Sequence, residues 1–422
     1  MLRPVLRTTV PSAILFVLLN AGCVLPADGG DDPLPPGFGS NPANDPFEPN
    51  NTLAMAAPVS DRTFRAELPV RTDLDVFDLG PIPAASLVQI RVEADNPGQL
   101  DPHAAAFTPA GFILAYNDDA DDSTNSRLVF PVRADLSRLL LAVASYAGTG
   151  MYTVRVEVFA NADPGPASGA EQVVYVDFRG NSAVPYPLGG TVSIPAFSDR
   201  ALGLPGQRTA ILSAMMNHLR ASFDGFPVRF ITSDASGPPE APFSRIYVGG
   251  KVSFGGADEQ LLGIASRLDF GNLDASDYAI VFAENLAGLT TDPAQMGVAL
   301  GNVAAHELGH LLGLVHTLDS SDIMESTGQI ANLLSAQSFG AAGLADFPLG
   351  AQDGRASLRT ALGLPNGLKS FTSPAYAVES ESDAGVWPEP VPWPRLDLAP
   401  DPDAAPVHHW CATCRPKPRP AH

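Results

Sequence analysis

The segment from His306 to His316 constrains the fold of this chain more than any other part of its sequence. It reads His-Glu-Leu-Gly-His-Leu-Leu-Gly-Leu-Val-His and follows a stretch with helical apolar spacing. Residues four apart lie on one face of a helix, so His306 and His310 can present two imidazoles to one metal ion. Gly313 permits a turn with positive φ, which can bring His316 back as a third ligand. The segment therefore predicts a helix end, a sharp turn and a returning segment around one metal ion.

Three neutral imidazoles on a divalent ion leave one coordination position for water, as in catalytic zinc sites. Glu307 follows the first histidine, so it can take a proton from that water and pass it to a leaving amine. The predicted chemistry is hydrolysis of a peptide bond without a covalent intermediate. A buried helix whose histidines only pack is the alternative, but it leaves Glu307 unexplained.

This pattern resembles the zinc site of the metzincin peptidases, and the resemblance extends more weakly over residues 170–365. It implies zinc as the cofactor and a protein or peptide as the substrate. Metzincins carry a methionine in a tight turn beneath the zinc. Met324, eight residues beyond His316, is the candidate here, with an ordinary core methionine as the alternative. Ser326 stands where astacins and serralysins have a zinc-reaching tyrosine, so no tyrosine ligand is expected.

The resemblance also suggests where a substrate would lie. The segment Gly263-Ile264-Ala265 is similar to the edge strand against which metzincins lay an extended peptide. Residues after Met324 should form the pocket for the side chain that follows the scissile bond. Ordinary core packing is the stronger explanation for each of the three candidate linings, which are Leu333, Leu334 and Phe339.

Residues 170–365 mix strand and helix patterns. Gln172–Phe178 is a nearly continuous apolar run, which predicts a strand buried on both faces. Gln207–Phe223 has a helical apolar stripe, and Asp292 can cap a helix that begins at Pro293 and continues to about Leu312. This order predicts an α/β domain with a twisted mixed sheet and an active-site helix. Its other predicted strands are Val228–Ile231, Ile246–Val248 and Tyr278–Phe282.

Residues 46–160 consist of short β-rich runs separated by turn residues, which predicts an all-β sandwich. The opening segment Asp45–Thr52, the segment Asp73–Phe77 and the segment Gly150–Val154 also resemble the pre-peptidase C-terminal domain, a β-sandwich appended to secreted bacterial proteases. The chain is therefore predicted to be multidomain, with this sandwich before the peptidase-like domain. The predicted strands are Leu87–Val92, Phe112–Tyr116, Leu139–Ala144 and Tyr152–Phe159.

One loop of this region is rich in side-chain oxygens. Hard cations take oxygen ligands, so a Ca²⁺ site is one interpretation of the loop. The other is a solvated loop whose Asp and Asn side chains cap their own turn. The spacing is not that of an EF-hand. The residues concerned are Asn117, Asp118, Asp119, Asp121 and Asp122.

Residues 1–23 read as an export signal. Arg3 and Arg7 precede the apolar run Val10–Leu19, which is about 15 Å long as a helix and too short to span a membrane. The Ala-Gly-Cys sequence that ends at Cys23 resembles the lipobox of bacterial lipoproteins, in which the cysteine is acylated. An ordinary cleaved signal, with Cys23 incidental, is the alternative. The expected protein is exported and either lipid-anchored to a bacterial membrane or secreted.

Three further segments lack the apolar pattern of a packed core: a tether at 24–45, a linker at 161–169 and a Pro-rich tail at 366–422. The tail contains two histidines and two cysteines that could bind a metal. A local disulfide between the cysteines, or no defined structure, explains them better. These residues are His408, His409, Cys411 and Cys414.

The charge balance limits the choice of partner. The chain has 46 acidic and 25 basic residues, a formal net charge of −21, which argues against nucleic acid. The predicted function is a zinc-dependent endopeptidase that acts on extracellular proteins. A cell-surface binding protein with an inactive peptidase fold is the main alternative, and a metallohydrolase for a non-peptide bond is a third. The sequence makes no prediction of the oligomeric state.

Overall fold

The computed structural model describes residues 45–120, 123–163, 171–187, 189–240, 242–252, 261–326 and 329–363. The predicted export signal with Cys23, nearly all of the tether and the Pro-rich tail with its histidines and cysteines lie outside these ranges. Within them, no helix combines the length and the apolar character needed to cross a membrane.

The first part of the chain forms two facing β-sheets. One has the strand order β1-β3-β8-β5-β6 and the other the order β2-β9-β4-β7, and all neighbours are antiparallel except β1 and β3. Side chains alternate strictly between buried and half-buried along β4, as expected for a strand with one face on a core. The strands are β1 (Ala57–Pro58), β2 (Thr63–Leu68), β3 (Leu74–Asp78), β4 (Ser86–Ala94), β5 (Leu100–Phe107), β6 (Ile113–Asn117), β7 (Ser126–Val132), β8 (Leu140–Gly148) and β9 (Gly150–Phe159).

The second part is built on a five-stranded mixed sheet. Its order is β13-β10-β14-β16-β15, with parallel neighbours except for β15, which runs antiparallel along one edge. Every residue of β10 is buried, which confirms the prediction of a strand covered on both faces. The sheet strands are β10 (Gln172–Asp177), β13 (Val228–Thr232), β14 (Ser244–Val248), β15 (Gly263–Ala265) and β16 (Tyr278–Val281); the hairpin β11 (Asn181–Pro185) and β12 (Thr191–Ile194) lies between β10 and β13 in the chain.

Two helices cover one face of this sheet, and the β11–β12 hairpin packs against the other. These are α1 (Arg208–Ser222) and α2 (Pro293–Leu311). They approach closely because α2 carries glycines at 297 and 301: a Cβ at Gly297 would lie 2.5 Å from Ala214 Cβ. Two short strands, β17 (Ala341–Gly343) and β18 (Ala351–Asp353), and the helix α3 (Gly354–Leu362) complete the described fold.

The fold class predicted from the sequence is confirmed: an all-β sandwich precedes an α/β part with a mixed sheet. The two parts share a hydrophobic core, which the sequence did not predict. Four buried residues from the α/β part belong to the apolar core of the sandwich, and each has 1–8% of its surface exposed. They are Phe270, Val315, Leu344 and Phe347.

Candidate metal centre

Helix α2 carries the first two histidines in its last turns. Its start is well defined, because the Asp292 side chain accepts a hydrogen bond from Ala294 N at 2.8 Å and Pro293 occupies the first turn. The helix ends at Leu311, which confirms the predicted extent to within one residue. His306 and His310 are one turn apart and therefore face the same side.

Gly313 provides the turn that brings the chain back. Its φ is +83°, and its N–H donates to His310 O at 3.0 Å. A Cβ at this position would lie only 2.7 Å from Phe270 Cα, so both the turn and the close approach require glycine. His316 follows three residues later.

The three histidines converge at one buried point. One ring nitrogen of each lies within 4.8 Å of the others, and His306 Nε2 and His310 Nε2 are 3.1 Å apart. The exposed fractions of His306, His310 and His316 are 0%, 0% and 2%. The three histidines predicted to share a metal ion therefore lie together, and their binding of a metal stays a prediction.

Each imidazole has an acceptor beside its other nitrogen. His306 Nδ1 lies 2.7 Å from Ile323 O, and His310 Nδ1 lies 2.8 Å from Leu314 O. His316 Nδ1 lies 2.9 Å from a carboxylate oxygen of Asp346. The carbonyl acceptors beside His306 and His310 favour a proton on Nδ1 of each ring, which leaves Nε2 as the metal-binding nitrogen.

The protonation states also suit a metal site. Burial, reinforced by the neighbouring histidines, lowers the pKa of His306 to about 3 and the pKa of His310 well below its ordinary value. These two imidazoles are therefore neutral at physiological pH, and the neutral form is the one that binds a metal. Three converging nitrogen donors fit Zn²⁺, which prefers nitrogen and sulfur ligands.

Glu307 follows His306 in α2, and its side chain lies against the edge strand. Its side chain is fully buried, and a Cβ added to Gly263 would lie 2.3 Å from Glu307 Oε1. Gly263 belongs to β15, which pairs with β16 and forms one edge of the sheet. The predicted edge strand is thus present, and its glycine leaves space for the Glu307 carboxylate.

Met324 packs under the end of α2. A Cβ at Gly309 would lie 2.6 Å from Met324 Sδ. The methionine therefore packs against the helix at a position where the helix carries no side chain. Thr317 N donates to Met324 O at 2.8 Å, and this bond ties the methionine turn to the residue after His316. The same turn supplies the Ile323 carbonyl beside His306. The role of Met324 as a floor beneath a metal stays a prediction.

The residues proposed to line a specificity pocket have different surroundings. Leu333 and Phe339 are buried in the core that also contains α1 and α2, which supports the packing explanation for both. Leu334 is half-buried. Asn302, a buried residue of α2, was not predicted from the sequence; its amide donates to Leu333 O at 3.0 Å and to Ser335 O at 2.8 Å.

Asp346 was not predicted from the sequence either. This residue is thirty positions beyond His316 in an Ala-Asp-Phe segment without a recognisable motif. No local signal could have identified it, because only the fold places it beside the third histidine.

Among the described residues of the sandwich, two groups of carboxylates come together. Asp118 and Asp119 of the predicted calcium loop come together with Asp101, with one oxygen of each within 4.8 Å of the others. Asn117 instead accepts a hydrogen bond from Arg127 N at 2.8 Å, and the other two loop residues lie outside the described ranges. The second group, which the sequence did not predict, is Glu48, Asp73 and Asp75.

Because of the second carboxylate group, we expect the free energy of unfolding to depend on pH. Burial raises the pKa of Asp75 to about 8, whereas an unfolded aspartate titrates near about 4. The unfolded chain then releases this proton first, so the free energy of unfolding should fall as the pH rises from about 4 to about 8. We expect Asp75→Asn to be more stable than wild type at pH 8, by a few kcal/mol at most, and to show a flatter pH dependence.

Urea unfolding at pH 5 and pH 8 in the presence of EDTA measures this effect. Asp61→Asn is the matched control, because Asp61 is exposed on the same sandwich. If the free energy of unfolding changed equally with pH in wild type and in Asp75→Asn, the raised pKa of Asp75 would be contradicted.

Residues 240–336 match the family model of the matrixins, described as Peptidase_M10. This segment contains the three histidines, Glu307 and Met324. The predicted resemblance to metzincin peptidases is thus confirmed for this part of the chain, and the match together with the histidine cluster supports a zinc metallopeptidase. Comparison with curated protein sequences finds no match.

Several solved structures are similar to parts of the chain. Archaemetzincin from Methanopyrus kandleri is 14% identical over 41% of this chain and 89% of its own, with a TM-score of 0.26. The pre-peptidase C-terminal domain of collagenase from Bacillus anthracis is 16% identical over 24% and 94%, with a TM-score of 0.21. Metalloproteinase-II from Bacteroides fragilis is 13% identical over 42% and 51%, with a TM-score of 0.23. At these values the likenesses do not bear on the activity of this chain.

Proposed function

We propose that this protein is a zinc-dependent endopeptidase that hydrolyses peptide bonds of extracellular proteins. The observation that carries the proposal is the convergence of three buried imidazoles on one point, with a buried glutamate next to the first histidine in the sequence. His306, His310 and His316 would hold the metal through Nε2. When bound, zinc polarises a carbonyl oxygen and lowers the pKa of a coordinated water.

Glu307 would perform the proton transfers. Its carboxylate takes a proton from the attacking water and delivers it to the nitrogen of the leaving amine, so that one side chain acts first as base and then as acid. The Glu307 carboxylate is buried and lies against Gly263, where no side chain occupies its space. Strand β15 would bind the substrate backbone as an added strand, because it is the edge of the sheet.

Removal of the metal tests this proposal. We expect the wild type to bind one zinc ion per chain and to cleave casein and an internally quenched peptide with blocked ends. Treatment with 1,10-phenanthroline should abolish both cleavages, and added zinc should restore them. His310→Ala should lack both zinc and activity, with circular dichroism as the control for folding.

The result would also separate the alternatives. Cleavage only at a free terminus would replace the endopeptidase by an exopeptidase. Zinc bound by the wild type, with no cleavage of either substrate, would favour the cell-surface binding protein or a hydrolase for another bond.

Three further properties stay predictions from the sequence. Export and acylation of Cys23 rest on the N-terminal pattern alone. Calcium binding rests on the oxygen-rich loop and on the approach of Asp101 to Asp118 and Asp119. Together they suggest an exported peptidase that is either secreted or held at a bacterial membrane.

A further inference from the structure

The third histidine differs from the other two in what surrounds it. His306 and His310 are on α2, whereas His316 follows a turn and is preceded by Val315, a member of the sandwich core with 1% of its surface exposed. The Val315 backbone is held on both sides by one amide: its N–H donates to Gln352 Oε1 at 2.8 Å, and its carbonyl accepts from Gln352 Nε2 at 2.9 Å. The segment that carries His316 is thus packed against the sandwich.

The carboxylate beside His316 belongs to a segment that packs against the same sandwich. Asp346 Oδ2 lies 2.9 Å from His316 Nδ1, and the next residue, Phe347, is buried to 2% exposure. The Phe347 ring contacts three sandwich side chains, with centroid distances of 5.0 Å to His103, 5.9 Å to Phe107 and 6.1 Å to Tyr116. The position of the Asp346 backbone therefore depends on how Phe347 fits into the sandwich.

Two more contacts fix the ends of this segment. On one side, Ala345 N donates to His316 O at 3.0 Å. On the other, Ala351 N donates to Gly111 O of the sandwich at 3.0 Å, and a Cβ on Gly350 would lie 2.2 Å from the Phe107 ring. Both ends of the segment 345–351 are therefore held by backbone hydrogen bonds.

A separate loop connects the sandwich to the second histidine. Asp269 N donates to His310 O at 3.1 Å, and the next residue, Phe270, lies in the sandwich core. Arg133 of the sandwich donates to Gly271 O at 2.8 Å. An accessory domain that was merely tethered would make no such contacts with the loop that bonds to the end of α2.

We infer that the sandwich is a positioning element of the zinc site: it holds Asp346 through Phe347, and Asp346 orients the His316 imidazole. This inference rests on the proposed function, since it concerns the same metal. Asp346 favours a proton on His316 Nδ1 and leaves Nε2 for the metal. Phe347 is a positioning residue that acts only through its neighbour.

The dissociation constant for zinc, measured by competition with a chromogenic chelator, tests the inference without relying on activity. Asp346→Asn should weaken zinc binding by about 10–100-fold, the usual effect of losing such a carboxylate. Phe347→Ala should weaken it in the same direction. The double variant should bind zinc no more weakly than Asp346→Asn alone, because the two residues act in series. Phe347→Leu, which keeps an apolar side chain in the sandwich, should recover most of the affinity.

Phe77→Ala is the matched control. Phe77 is a fully buried phenylalanine of the same sandwich, packed against Phe47 and Phe64. Its loss should lower the stability while leaving the zinc affinity within about threefold of wild type, as expected for a distant independent site. An equal loss of affinity in Phe77→Ala and Phe347→Ala would overturn the inference, and so would additive effects of Asp346→Asn and Phe347→Ala.

Two outcomes separate this inference from the proposed function. A wild type that binds no zinc would remove the proposed function itself. A wild type that binds zinc and cleaves peptides, with unchanged zinc affinity in Asp346→Asn, would overturn the inference alone. Asp346→Asn keeps the shape of the side chain, so the test stands even where Phe347→Ala fails to fold.

Discussion

Replacement of Glu307 by glutamine is expected to lower the rate of peptide hydrolysis by about 10²–10⁴-fold, the range that a general acid–base group contributes. The carboxamide has nearly the same shape as the carboxylate, so it should fit the buried space beside Gly263. It has no basic oxygen that can accept a proton from water. The zinc content should stay at the wild-type level, because the predicted metal ligands are the three converging histidines and not Glu307. Measurement of kcat/KM on a quenched peptide, together with metal analysis, checks both parts.

Glu240→Gln is the control for the Glu307 experiment, because Glu240 is exposed. A parallel loss of zinc and activity in Glu307→Gln would mean that this glutamate maintains the metal site instead of transferring protons. Unchanged hydrolysis would exclude Glu307 as the base.

Gly263→Ala should remove most of the activity without touching a metal ligand. The new Cβ would lie 2.3 Å from Glu307 Oε1 and 2.7 Å from Glu307 Cδ, so the carboxylate must move. Misplacement of a reacting group by about 1 Å can cost on the order of 10²-fold in rate. We therefore expect a fall of that order in kcat, with normal zinc content.

Gly237→Ala is a suitable comparison for Gly263→Ala, because a Cβ there meets no atom within 4 Å. Wild-type activity in Gly263→Ala would show that Glu307 works equally well from another position. Loss of zinc in the same variant would instead indicate a wider collapse of the site.

The strands of the sandwich show which parts of the fold could be predicted. β4 and β9 contain β-branched residues at alternate positions, and both were predicted because that pattern suits a sheet with one buried face. β5 was missed, since Leu100–Phe107 contains a proline and three consecutive alanines. The structure accommodates Pro102 at an irregularity, where the pairing with β8 shifts register between Asp101 and Pro102.

The metal site likewise contains residues that could be predicted from the sequence and residues that could not. His306, His310 and His316 lie within eleven consecutive residues, so helix geometry and one glycine turn were sufficient to bring them together. Gly263 could be predicted as part of an edge strand by resemblance, but its contact with Glu307 depends on how the sheet packs against α2. Asp346 and Phe347 depend on contacts with a sandwich more than two hundred residues earlier in the chain. Such long-range contacts leave no periodic pattern in a single sequence.

The hydrophobic core shared by the sandwich and the α/β part constrains how such a chain can evolve. Accessory domains are commonly exchanged between enzymes as modules, which requires each module to close its own interior. Here Phe107 of the sandwich and Phe347 of the α/β part pack against each other in one hydrophobic core. A gene fusion that supplied a different sandwich would leave Phe347 without its cavity, so the two parts are constrained to diverge together.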